Sequence, residues 1–213
     1  MYYPWTCWGY NGSQQESRLS VVTEATGDVV ALADAKTHLR VEHSAEDTYI
    51  QGLIAAAAAE LDTPRGWLGR TLLTKTLRLT LDEYPPTVIY LPGPPIQTIN
   101  SVEYRDRDGV FQTLDPSEYE FNLTTDHNGL FWIKDDVDYC PRWPTDIDYR
   151  GPDLVRIEYD AGYGTSSDIP HLIKQWILIR VGDLYRDRES SVIGASVSSL
   201  DHVQRALDNW RVR

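Results

Sequence analysis

Regular hydrophobic patterning begins at Leu32, where two segments carry apolar residues at helical spacing. The longer segment, "SAEDTYIQGLIAAAAAELDT", places its larger apolar residues three and four positions apart, which predicts one buried helical face. A serine followed three residues later by an aspartate is a variant of the capping box, so we predict that this helix begins at Ser44. Pro64 and Gly66 are typical of its end. The predicted helices span residues 32–40 and 44–63.

The side chains at the other positions of the long helix are small rather than charged. Gly52, Ala55, Ala56 and Ala59 lie outside the apolar stripe, where a helix that faces water normally carries charged side chains. Methyl groups around most of a helix indicate that most of its circumference is covered. Two interpretations stay open: these residues face another copy of the chain, or they are buried inside their own domain.

From about residue 71 to residue 160 the pattern changes to the alternation of half-buried strands. In "TLLTKTLRLTLDEY", four leucines and Lys75 share one side. The pair Asp108-Gly109, between two strand candidates, predicts a hairpin turn. The other predicted strands are Val88–Leu91, Ile99–Arg105, Val110–Thr113, Tyr119–Asn122, Leu130–Lys134 and Leu154–Tyr159.

A third helical pattern covers residues 168–188, with Ser167 or Asp168 as its cap and Pro170 in its first turn. The sequence therefore predicts an α+β domain over residues 28–189. Its N-terminal and C-terminal helices form a small helical bundle, and an antiparallel β-sheet and hairpin region is inserted between them. An extended aromatic arm, residues 1–27, precedes this domain, and a C-terminal helix and tail, residues 190–213, follow it.

The net charge of the chain argues against one class of function. Lys and Arg number 20 and Asp and Glu number 32, so the net charge of −12 argues against simple DNA binding, which depends on cations that neutralise phosphates. Contact with DNA without adhesion remains compatible with an acidic surface. The sequence has neither an apolar run of the roughly 20 residues that span a bilayer nor a secretory signal at its start. We expect a protein used in a cytoplasm, with Cys7 and Cys140 as reduced thiols.

Catalytic, cofactor and metal sites have no recognisable signature in the sequence. The five histidines are scattered, and "DRDG" lacks the later ligands of a calcium loop. We therefore expect no catalytic residue, no cofactor and no metal, and no enzymatic activity. Two alternatives of other classes stay open: a sugar-binding accessory module, favoured by seven tryptophans and thirteen tyrosines, and a hydrolase that uses acidic pairs such as Asp135-Asp136.

Several motifs, taken in order, resemble the head-tail connector or adaptor proteins of tailed bacteriophages and related gene-transfer particles. The resemblance covers about Val29 to Glu189, and "DTPRGWLGR" departs from it by extra residues before the first strand. The matching segments are "LADAKTHLRVEHSAEDTYIQGLIAAAAAELD", "GRTLLTKTLRLTLDEYP", "LPGPPIQTINSVEYRDRDGVFQTLDPSEYEF", "VRIEYDAGYG" and "IPHLIKQWILIRVGDLYRDRES".

The resemblance implies a structural role at the head-tail junction of a virion that assembles in the host cytoplasm. Members of the family form a twelve-subunit ring beneath the portal and extend the DNA channel. The expected partners are copies of the chain itself, the portal protein, and a downstream stopper or tail protein. DNA is expected to pass without specific binding, and no membrane is involved. A tail-terminator or stopper protein is the alternative within the same class.

Three sets of residues are the candidates for these contacts. The candidates for the subunit interface are Gly52, Ala55, Ala56 and Ala59; those for portal docking are Leu207, Trp210, Arg211 and Arg213; and those of the N-terminal arm, for a neighbouring subunit or another virion protein, are Tyr3, Trp5, Trp8 and Tyr10.

Overall fold

A computed structural model describes residues 17–84, 88–122, 129–134, 143–144, 152–187 and 207–212. Within these ranges the chain has the predicted α+β fold, with three α-helices and two antiparallel sheets. The helices are α1 (Leu32–Leu39), α2 (Asp47–Leu61) and α3 (His171–Arg186). The strands are β1 (Ser17–Thr23), β2 (Lys75–Leu81), β3 (Ile89–Leu91), β4 (Ile96–Arg105), β5 (Phe111–Thr113), β6 (Tyr119–Asn122), β7 (Gly129–Ile133) and β8 (Val155–Ala161).

The strands form a main sheet of order β1-β2-β8-β4-β5 and a small sheet of order β3-β7-β6. Alternation along β2 directs its leucines inward, where Leu77 is paired with Tyr159 of β8 and both are fully buried. The inner faces of the two sheets share one buried cluster. At Gly129 the sheets approach closely, because a Cβ there would lie 2.8 Å from Cγ1 of Ile96.

The three helices enclose a second buried cluster, which confirms the predicted bundle. α2 directs Ile50, Ile54, Ala57 and Leu61 into this cluster, and α3 directs Ile173, Trp176, Ile177 and Val181 into it. Two ion pairs connect the helices at their surface. Lys36 of α1 lies 2.6 Å from Asp47, and Arg180 of α3 lies 2.9 Å from Glu60.

α2 begins at Asp47, so the predicted start at Ser44 is wrong. The backbone carbonyl of Ser44 accepts the N–H of Asp47 at 3.3 Å, and residues 43–46 form bends and turns that precede the helix. Among the described residues, no side chain caps the first turn. The Ser44-Asp47 spacing therefore serves a turn before the helix rather than a capping box.

α3 also begins later than the sequence predicts. Thr165 and Asp168 form a capping box around a 3₁₀ turn, Ser166–Asp168, in which the Thr165 N–H donates to the Asp168 carboxylate at 2.8 Å. Pro170 then precedes the helix instead of lying inside its first turn. Asp168 is thus a capping residue, as predicted, but it caps the 3₁₀ turn before the helix and not α3 itself.

Residues 17–23, which the sequence analysis assigns to an extended arm, form strand β1 on the edge of the main sheet. β1 is paired with β2 from Ser17 opposite Leu81 to Thr23 opposite Thr76. Only Leu19 and Val21 pack against the buried cluster, and the other side chains of β1 are exposed. A strand at the edge of a sheet with only two inward apolar residues shows little alternation of apolar and polar positions. The sequence pattern therefore does not predict β1.

A buried lysine joins the helical and β clusters. The Lys75 ammonium lies 2.7 Å from Oδ2 of Asp62 and also donates to the backbone carbonyl of Thr63. Oδ1 of Asp62 accepts the N–H of Leu72 at 2.9 Å. Asp62 follows the last residue of α2 and Lys75 opens β2. This network therefore fixes the junction between the helices and the main sheet.

Loss of the Asp62 charge is expected to destabilise the whole domain. Asp62→Asn keeps the shape of the side chain but leaves a buried ammonium without a counter-charge, since the Lys75 side chain is 3% exposed. We expect the free energy of unfolding to fall by about 3 kcal/mol. Urea denaturation measures it.

A matched control is Asp183→Asn, which removes one of the two carboxylates that pair with the exposed Arg186 and should have a much smaller effect than Asp62→Asn. The double variant Asp62→Asn/Lys75→Met should be more stable than Asp62→Asn alone. Equal losses for Asp62→Asn and the control would contradict this role.

The predicted hairpin turn at Asp108-Gly109 forms around the carboxylate of Asp106. Oδ1 of Asp106 accepts the N–H groups of Asp108 at 3.0 Å and Val110 at 2.9 Å, and Oδ2 accepts the side-chain amide of Gln112 at 2.8 Å. The hydrogen bond from Gln112, followed by that from the Val110 backbone, holds the pKa of the Asp106 carboxyl below its ordinary value. The charged form therefore stabilises the β4–β5 turn.

Acidification should loosen this hairpin through Asp106. Because the folded-state pKa is lower than the unfolded one, the contribution of the carboxylate is complete above about pH 4 and is lost as the pH falls through the folded-state pKa. The stability difference between wild type and Asp106→Asn should therefore be largest near neutral pH and shrink on acidification. Urea denaturation across pH measures this, and a pH-independent difference would contradict it.

Candidate interaction surfaces

The four candidates for the subunit interface lie together on the outer side of α2. Gly52, Ala55, Ala56 and Ala59 are all exposed, so the interpretation that they are buried inside their own domain is wrong. Among the described residues, a Cβ added at Gly52 would meet no atom within 4 Å apart from the adjoining residues and backbone of its own helix. We call these four residues the α2 surface. It is open to solvent in the single subunit.

The α2 surface lies in a stretch without charge. No charged residue occurs from Thr48 to Ala59, and the acids at either end, Asp47 and Glu60, are held by cations of α1 and α3. Small side chains allow another backbone to approach closely, and an uncharged surface is buried without desolvating ions. The arrangement is chemically suited to protein contact rather than to catalysis.

The C-terminal segment, residues 207–212, packs against its own subunit. Leu207 is fully buried in the helical cluster. The N–H of Val212 donates to the carbonyl of Leu68 at 3.0 Å. Arg70 donates to the carbonyl of Trp210, and its guanidinium lies 5.9 Å from the centre of the Trp210 ring. This segment therefore completes the domain, although the sequence analysis placed it in a separate tail.

Because of these contacts, the four candidates for portal docking differ in how much side-chain surface they expose. Leu207 presents no side-chain surface and Trp210 is half-buried, whereas Arg211 is exposed. Arg213 lies outside the described residues. Arg70 is not among the residues predicted from the sequence, and its signal there is a lone cation in the apolar run "WLGRTLL". A buried arginine needs acceptors, and here the C-terminal segment supplies one.

The four arm candidates, Tyr3, Trp5, Trp8 and Tyr10, lie outside the described residues. The arm joins the described structure at Ser17, the first residue of β1. Ser17 is paired with Leu81 at the end of β2. This position fixes where the arm leaves the main sheet.

In the described part of the chain, no group of three or more His, Cys, Asp or Glu side chains is arranged to hold a metal ion. None of the described helices has the length and apolar character needed to cross a bilayer. The tryptophans described by the structure, at positions 67, 132, 143, 176 and 210, are all buried or half-buried. They do not form an exposed platform of the kind that a sugar would stack on.

Comparison with known proteins identifies a related family. Residues 30–107 match the family described as "Phage gp6-like head-tail connector protein", which confirms the resemblance found in the sequence. The matched segment contains all of α1, α2 and the main-sheet strands β2 and β4. No protein with a curated description matches the chain.

Solved structures of gene transfer agent (GTA) particles contain chains of the same fold. A chain in the neck of an empty particle, computed with C6 symmetry, has 20% identity and a TM-score of 0.71, covering 92% of this chain and 96% of that one. A chain in the virion of the native particle has 20% identity and a TM-score of 0.73, covering 92% and 95%. A third, in the neck of the native particle computed with C12 symmetry, has 18% identity and a TM-score of 0.63, covering 92% and 96%.

Truncation of Leu207 is expected to destabilise the subunit. Leu207→Ala leaves a cavity in the helical cluster and should lower the free energy of unfolding by about 2–5 kcal/mol. Arg211→Ala, at an exposed position of the same segment, should change it by about 0.5 kcal/mol or less. Chemical denaturation of the two variants measures this, and equal effects would show that the segment does not pack as described.

Proposed function

We propose that this chain is a structural head-tail connector, or adaptor, located in the neck of a phage-like particle that assembles in the host cytoplasm. The match of residues 30–107 to the connector family supports the role. The fold shared with neck and virion chains of gene transfer agent particles, over 92% of this chain, supports the location. No catalytic step and no cofactor belong to this proposal.

In the proposed assembly, copies of the chain form a ring of twelve beneath the portal protein. The C6 and C12 symmetry of the related neck structures supports a ring. The observation that carries the proposal is the α2 surface, an exposed and uncharged helix face made of small residues. In a closed ring each subunit is flanked on both sides, so such a face becomes buried against a neighbour.

We propose that the C-terminal end of the chain makes the contact above the ring. The portal docks on the C-terminal segment through Arg211 and Arg213, with Trp210 beside them, and Leu207 anchors the segment from within its own core. A downstream stopper or tail protein binds the opposite rim of the ring.

The acidic balance of the chain suits passage of DNA through this ring. With a net charge of −12, the subunit repels phosphates rather than gathering them. DNA therefore passes through the channel without specific binding.

Ala56→Glu tests the role of the α2 surface. The residue is exposed, so the variant should fold with unchanged stability, but a charge placed in the interface should prevent ring assembly. Light scattering with negative-stain imaging, alone and with the candidate portal protein, measures the assembly. Wild type should give rings or a collar bound to the portal.

The control is Ala33→Glu, the same change at an exposed position of α1, which should assemble like wild type. Rings formed by Ala56→Glu would remove the α2 surface from the interface while leaving the connector role standing. A wild-type chain that stays monomeric and does not bind the portal would contradict the connector role itself.

A further inference from the structure

The small sheet has one buried face and one outer face, which is apolar along β3 and β7 and polar along β6, where Glu120 lies opposite Trp132 and pairs with Lys134 at 3.9 Å. Residues 89, 91, 131 and 133 point inward and are buried. Alternation therefore places Val88, Tyr90, Leu130 and Trp132 on the other side. Tyr90 is 66% exposed and Val88 is 44% exposed, whereas Leu130 and Trp132 are half-buried. We call these four residues the small-sheet face.

The outer face of the main sheet provides a contrast. There Thr76 donates to Asp160 at 2.7 Å, Asn100 donates to the same carboxylate at 2.9 Å, and Arg78 pairs with Glu158. That face is polar and satisfies its own hydrogen bonds. On the small sheet, only β6 carries polar outward residues, Glu120 and Asn122, whereas β3 and β7 have large apolar side chains at the corresponding positions. Exposed apolar patches of this kind mark contact surfaces.

The chain itself contains a segment that suits this surface. Residues 1–15 contain no charged side chain, and they include five aromatics, at positions 2, 3, 5, 8 and 10. Burial of such a segment desolvates no ion, and aromatic rings gain from packing on tyrosine and tryptophan. In composition, the arm and the small-sheet face are complementary.

The attachment point of the arm lies close to this surface. Ser17 is paired with Leu81, so their Cα atoms are about 5 Å apart. From Leu81 the chain runs directly to β3, and the nine residues to Tyr90 span at most about 30 Å. Leu81 and Ile89 share one buried cluster, so the true separation is shorter. Trp8 lies nine residues before Ser17, and its reach of about 30 Å is sufficient.

We propose that the aromatic arm, Tyr2–Tyr10, packs on the small-sheet face of its own subunit. The arm then covers the exposed ring of Tyr90 and the side of Trp132 that faces solvent. The docked arm would shield from solvent the outward side chains of the small sheet, which the strand pairing itself leaves open. This assignment does not depend on ring formation and holds for the single subunit.

A natural cysteine in the arm provides the test. Cys7 lies between Trp5 and Trp8, and Asn122 is exposed on the small sheet directly opposite Leu130. In the full chain carrying Cys140→Ser, the further change Asn122→Cys should allow a disulfide with Cys7 under mild oxidation. The four residues of the small-sheet face stay intact. Peptide mass spectrometry and non-reducing gels, at low protein concentration, identify the bond and show whether it lies within one chain.

The matched control is Ser20→Cys in the same background. Ser20 is exposed on β1 and is much closer to Cys7 along the chain than Asn122 is. An arm that moves freely would react at Ser20→Cys at least as fast as at Asn122→Cys. A docked arm should react with Asn122→Cys faster, on the order of tenfold, because docking raises the local concentration of Cys7 at that face.

Removal of the arm aromatics should abolish the faster disulfide formation at Asn122→Cys. Trp5→Ala/Trp8→Ala, added to the Asn122→Cys chain, should bring its rate down to that of Ser20→Cys without changing the thermal unfolding of the domain. Equal rates for Asn122→Cys and Ser20→Cys in the parent would overturn the proposal. Crosslinks found mainly between two chains would also overturn it and would assign the face to contact between copies.

Discussion

Lys75 lies buried where α2 meets β2, and a buried ammonium group must keep its carboxylate and carbonyl partners. Asp62 and the carbonyl of Thr63 supply them. The pair fixes how the chain leaves the helix and enters the main sheet, so the helical and β clusters keep one relative arrangement. The rest of the fold depends on that junction, because it positions β2, which pairs with β1 on one side and with the central strand β8 on the other.

The same junction receives the end of the chain. Arg70 lies five residues before Lys75, is itself buried, and binds the carbonyl of Trp210, while Leu207 fills the helical cluster. The last described residues are therefore part of the fold and not an appended tail. In the proposed connector role, the subunit transmits contacts from the portal to a downstream partner. Leu207 and the hydrogen bond from Val212 to Leu68 anchor the C-terminal segment to the helical cluster.

Two exposed surfaces of the subunit differ in a way that indicates different partners. The α2 surface is flat, small and uncharged, which suits the close approach of another helix or sheet. The small-sheet face presents the large rings of Tyr90 and Trp132, which suit an extended segment with aromatic side chains. In the proposed ring, α2 contacts the neighbouring subunit and the small sheet holds the arm of its own chain, so the two proposed contacts do not compete.

The sequence by itself determined the elements whose pattern is local. The alternation of β2, the helical stripe of α2 and the turn at Asp108-Gly109 are each encoded by residues a few positions apart, and all three were predicted. Tertiary structure decided the rest. It made Ser17–Thr23 an edge strand, which alternation on one face does not reveal, and it exposed Ala56, since small residues fit a buried or an exposed face equally well. The partner of a buried charge and the return of the chain end to the core depend on contacts between distant residues, and these are specified only when the chain is folded.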